Sequence, residues 1–194
     1  MKVTNNQRLV LIALLVAQAV ALSLIEQAIP TPFLLAPGAK LGLANIITCI
    51  ALVKLPLKDT IIIILARLIL AGFLGGTLST ILFSAAGAMI SLLAMLLVQQ
   101  LGNKRISMIG ISVTGATFHN FGQLLIASYI ARTWHVLTYL PILTFFGILS
   151  GVATGIATNY LLQSLNTLPI WKHSNNQGEE NNEHSSNVGS VSWN

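Results

Sequence analysis

Charge is what this sequence has least of: Asp, Glu, Lys and Arg make up 8% of its 194 residues, about a third of the share usual in a soluble domain. Acids are the scarcest. Asp59 is the only aspartate, and Glu26 is the only other carboxylate before the polar C-terminal tail. Metal-dependent chemistry on diphosphates needs several carboxylates to hold Mg²⁺, so this class of reaction is not expected. A single cysteine, Cys49, excludes an internal disulfide and a cysteine-rich metal site. The sequence also lacks a glycine-rich phosphate loop ending in Lys-Ser/Thr, a Gly-x-Ser-x-Gly elbow and a His-Glu-x-x-His helix. No enzymatic activity, cofactor or metal is expected.

What the chain has instead is apolar length. Hydrophobic residues make up 54% of it and the mean hydropathy is +0.78. Apolar segments run over 9–29, 41–53, 60–75, 79–101, 107–131 and 137–165. A bilayer core of about 30 Å takes roughly 20 helical residues, so the second and third segments are short and the last has length to spare. The expected fold is all-α: a polytopic membrane protein of about six transmembrane helices. The connecting charges orient it. Lys2, Arg8, Lys54, Lys58, Lys104, Arg105 and Lys172 fall on one side, against Lys40 and Arg132 on the other. The positive-inside rule then puts both termini in the cytoplasm of a cell-membrane protein. That topology accounts for the excess of basic over acidic residues without a nucleic-acid partner.

The first segment has a basic start and small residues, as a signal peptide does, but its apolar run continues to Ile29. It is read as a retained helix. Residues 1–170 are expected to form the membrane domain. Residues 171–194, rich in Asn, Ser, Glu and Gly, have too few apolar groups to bury and are expected to be a disordered cytoplasmic tail.

Polar side chains inside the apolar segments are the candidate site. "GATFHNFGQLL" (115–125) carries His119, Asn120 and Gln123; His119 and Gln123 are spaced i, i+4 and share a helix face. At about 1.5 Å per residue, His119 lies roughly 20 Å beyond Arg105. Glu26 falls near the outer end of the first span, and Lys40 and Asn45 come in from the same side. These six residues are the expected ligand contacts. The intervening "PTPFLLAPGAKLG" combines Pro30, Pro32 and Pro37 with apolar Phe33, Leu34 and Leu35. Non-helical apolar backbone near a membrane packs on protein or lines a cavity, so residues 30–40 are expected to cap an outward-facing pocket. The plainer alternative is that each polar group bonds a neighbouring helix, contributing roughly 0.6 kcal/mol. Ionisable groups in the membrane are costly without a role, which favours the pocket. Arg67, about 12 Å from the inner face, either meets the ligand or snorkels to the cytoplasm.

Two ladders of small residues stand out: Ala13, Ala17 and Ala21 in the first segment, and Gly147, Gly151 and Gly155 in the last. Such faces admit close helix approach. Packing within the chain and docking of a partner fit either one equally well.

"PGAKLGLAN" (37–45), "RLILAGFLGGTLS" (67–79) and "FHNFGQLL" (118–125) resemble the family called heptaprenyl diphosphate synthase component I, also called Gx transporter, over roughly residues 9–165. That family is similar in turn to the substrate-binding S components of energy-coupling factor (ECF) transporters. The resemblance implies six helices, both termini inside, and an outward pocket covered by the first loop. It also implies a scarce, vitamin-like nutrient as ligand. The partners it implies are a transmembrane coupling subunit, docked on Ala13, Ala17 and Ala21, and two ATP-binding cassette ATPases. The synthase name sits badly with the residues, because prenyl elongation uses two aspartate-rich motifs and this chain has one aspartate. An accessory membrane subunit of a prenyl diphosphate synthase is the alternative function, and a structural or assembly role the third.

Overall fold

A computed structural model describes residues 5–28, 42–75, 77–100 and 107–166. Each expected apolar segment forms a helix: α1 (Asn5–Ala28), α2 (Asn45–Lys54), α3 (Leu57–Gly75), α4 (Leu78–Gln100), α5 (Met108–Ala131) and α6 (Leu140–Asn166), with a 3₁₀ helix, Trp134–Tyr139, leading into α6. Among the described residues three helical stretches are long and apolar enough to cross a membrane: Arg8–Ala28, Leu78–Gln100 and Trp134–Ser164. With 24 residues α5 has the length as well, but it carries His119, Asn120 and Gln123. The 19-residue α3 carries Lys58, Asp59 and Arg67. The chain is an all-α membrane protein. The expected cap loop 30–40, Lys40 within it, and the expected tail 171–194 lie outside the described residues.

The helix ends have local causes. Pro56 offers no N–H and forces Leu55 into the extended region, which stops α2. Its carbonyl then accepts the Asp59 N–H at 2.9 Å to start α3. Ser107 caps α5, its Oγ accepting from the Gly110 N–H at 3.2 Å, and Arg132 ends it in the left-handed conformation at φ 50°.

Close contacts fix the packing directions. At one end of the bundle Arg8 and Asp59 meet, Nε to Oδ2 at 2.7 Å; at the other, Gly75 lies against Leu24 and Gln27. Hence α1 and α3 run parallel, as α2 turning back between them requires. Gly122 of α5 lies against Ala86 and Gly87 of α4, and Gly115 against Met95, so α4 and α5 are antiparallel. The Gly147, Gly151 and Gly155 ladder packs on α5 at Thr117, Val113 and Ile109 in turn. A buried hydroxyl pair, Ser112 Oγ to Thr154 Oγ1 at 2.7 Å, pins the same seam.

The other ladder does the opposite. Ala13, Ala17 and Ala21 are exposed, while the facing side of α1 buries Leu15, Val16, Ala19 and Val20 against α2, Ile63 and Leu162. The ten-residue α2 spans about 15 Å, half a bilayer. Above its first residue the other helices border the space it leaves.

Candidate ligand-binding site

That space is a cavity of about 30 Å³ lined by polar and apolar groups, room for about two waters. Five helices contribute to its wall. From α1 come Ser23, Glu26 and Gln27, and from the start of α2 come Asn45 and the preceding Gly42 and Ala44. Arg67, Leu68, Ala71 and Gly72 line it from α3, Thr80, Ile81 and Ser84 from α4, and His119 from α5. Ser23 and Glu26 stand three residues apart and Thr80 and Ser84 four apart, so each pair shares a helix face.

The charged groups are deeply buried, Glu26 at 4% and Arg67 at 5% exposure, and their opposite charges attract across the cavity. Arg67 lines the cavity and so turns into the interior rather than running along α3 to its end. The Gly42 N–H donates to Glu26 Oε1. Gly42 holds φ at +80°, a conformation that L side chains rarely adopt, with its α-carbon face against the Asn45 amide. The glycine thus lets the chain bend so that its N–H meets the carboxylate and α2 begins at Asn45. Asn45 is 2% exposed, and its Nδ2 has no hydrogen-bond partner among the described residues. Buried donors are seldom left so.

His119 reaches the cavity from mid-α5 because Gly87 on α4 leaves room for its ring: a Cβ there would stand 2.9 Å from His119 Cε1. Gln123, one turn on, lies with Nε2 at 3.2 Å from His119 Nε2. With the amide as donor, Nε2 accepts and the neutral ring carries its proton on Nδ1.

The expected contacts thus divide. Glu26, Asn45 and His119 stand in one wall, joined by Arg67. Gln123 is behind His119 and orients it. Asn120 faces the other way, its Nδ2 donating to the Leu143 carbonyl on α6 at 3.0 Å, next to Gly147. Lys40 lies outside the described residues. Ser23, Gln27, Thr80 and Ser84 escaped the sequence reading because single hydroxyls and amides are common in membrane helices; the i, i+4 pair Thr80 and Ser84 is the one signal that could have marked α4.

A family model described as "Heptaprenyl diphosphate synthase component I" matches residues 15–161. The chain belongs to the heptaprenyl diphosphate synthase component I family. The match runs from mid-α1 to near the end of α6 and so includes every cavity-lining residue named above. No curated protein and no solved structure matches the chain.

Proposed function

We propose that this member of the family is a substrate-binding subunit of an ECF-type importer, holding a small micronutrient or precursor in its cavity. The observation that carries this reading is the cavity itself. A carboxylate, a guanidinium, an amide nitrogen without a partner among the described residues and an imidazole converge on one cavity, and Asp59 is the only other buried charged residue among those described. Such groups are expensive in a membrane interior unless they meet a ligand or one another. The basic residues between spans favour cytoplasmic termini, so the cavity opens outward. The exposed Ala13, Ala17 and Ala21 face, on the side of α1 away from its buried residues, is the docking face for a transmembrane coupling subunit, which two ATP-binding cassette ATPases drive.

A second reading, an accessory membrane subunit of a heptaprenyl diphosphate synthase, draws on the family's description, which names a component and hence an assembly. In neither reading is this chain the catalyst. Its two membrane-domain acids work apart: Asp59 is held by Arg8 at one end of the bundle, and Glu26 lies in the cavity. They do not form the carboxylate group that Mg²⁺-diphosphate requires.

The deciding experiment is purification from native membranes in mild detergent, with mass spectrometry of both the proteins and the small molecules retained. The importer reading expects a stoichiometric small molecule and a coupling subunit with ATPases. Recovery of a soluble aspartate-rich synthase, with no small molecule bound, would replace it with the accessory reading.

A further inference from the structure

We infer that the cavity takes a small molecule without net charge that presents a carbonyl oxygen or ring nitrogen to Asn45 Nδ2, as an amide, lactam or nitrogen heterocycle does. This rests on the cavity being the ligand site proposed above. It is narrower than that reading, which leaves the ligand's chemistry open.

The first ground is the orphaned donor. Asn45 is 2% exposed, lines the cavity, and its Nδ2 has no hydrogen-bond partner among the described residues. An unmet buried N–H is costly, and the group that meets it must be an acceptor. The second ground is charge. Among the described lining residues only Glu26 and Arg67 are charged, with opposite signs, so the wall adds up to zero. A ligand ion would leave one uncompensated charge in a low-dielectric site. An anion facing Asn45 would also share the cavity with the Glu26 carboxylate. The third ground is size. At about 30 Å³ the space suits a planar amide or ring edge and not a hydrated diphosphate, whose several charges the wall could not balance. The neutral acceptor satisfies all three.

The test uses matched probes on the full-length protein in detergent: acetamide, acetate, ethylammonium and inorganic diphosphate, titrated at millimolar concentration and followed by saturation-transfer NMR. Acetamide should bind at least about tenfold more tightly than the three ions. Asn45→Leu removes the amide nitrogen that lacks a partner among the described residues at similar side-chain volume, so it should lose acetamide by at least about tenfold while melting close to wild type. Asn45→Asp, which keeps the shape and puts an oxygen where the donor was, should lose acetamide as well and keeps the test available if the leucine variant misfolds. Acetate, ethylammonium or diphosphate binding as well as acetamide overturns the uncharged class but leaves a ligand cavity standing. A small molecule that co-purifies and carries net charge does the same. Acetamide binding unchanged in both variants overturns the role of Asn45. If no probe binds and nothing co-purifies, a water fills the cavity, and this inference and the importer reading both fall.

Discussion

Replacing Gly151 with alanine adds one methyl group to a helix of 27 residues, and the structure says it will not fit. A Cβ at that position would stand 2.5 Å from the Val113 α-carbon, 3.1 Å from the Val113 nitrogen and 3.2 Å from the Ser112 carbonyl oxygen. All three neighbours are backbone, so no rotamer change relieves the clash and α6 must move off α5. The displacement stretches the 2.7 Å bond between Ser112 and Thr154, one residue from Val113 and three from Gly151. Overpacking of this kind costs about 1–3 kcal/mol, and a strained interhelical hydroxyl pair in a membrane protein adds roughly 0.6 kcal/mol. Against that, exchanging glycine for alanine in a helix returns about 0.5–1 kcal/mol. Destabilisation wins by about 0.5–3 kcal/mol. The control is Ala17→Leu, a larger addition to an exposed face of α1, which should leave the melting temperature in detergent unchanged. The assay is a thermal unfolding series in one detergent, reading both tryptophan fluorescence and loss of the monodisperse species. Gly151→Ala melting with wild type, or Ala17→Leu melting below it, would refute the assignment of one ladder to internal packing and the other to an open face.

Other outcomes follow from the same geometry. His119→Ala should weaken binding of the co-purified ligand by about 1–3 kcal/mol, roughly five- to a hundredfold, by calorimetric titration, with little change in melting; unaltered affinity and a clearly lower melting temperature would make His119 a packing residue. Asn120→Ala should do the reverse, because its bond is to Leu143 on α6: stability falls by about 0.5–1.5 kcal/mol and ligand affinity holds. Ala17→Leu should bind ligand normally yet impair uptake in cells, and intact uptake would leave the alanine face with lipid alone. Cysteines at Thr31 and Asn103 in a Cys49→Ser background should differ when intact cells meet an impermeant thiol reagent. Stronger labelling at 103 would invert the topology.

How much of this was legible in advance depends on the range of the interaction concerned. The helices were, because each rests on a run of apolar residues, and a membrane leaves the backbone no alternative to bonding itself. Glu26, Asn45 and His119 were legible as a group because depth in a bilayer follows from position along a helix. Rotation about the helix axis does not follow from depth. Asn120 sits beside His119 in the sequence, yet it bonds to α6 while His119 looks into the cavity, since adjacent residues point about 100° apart on a helix. Arg67 was ambiguous for the same reason: a long side chain can lie along its helix or turn inward, and only the tertiary structure shows it buried in the cavity wall. The two small-residue ladders, identical in pattern, were told apart solely by what faces them. The α5 backbone lies against Gly151, and none of the described helices covers Ala17. Composition and periodicity determined that this chain is a bundle of membrane helices with polar groups at one depth; which of those groups share a wall was decided by helix rotation, and rotation is set by contacts between residues far apart in the chain.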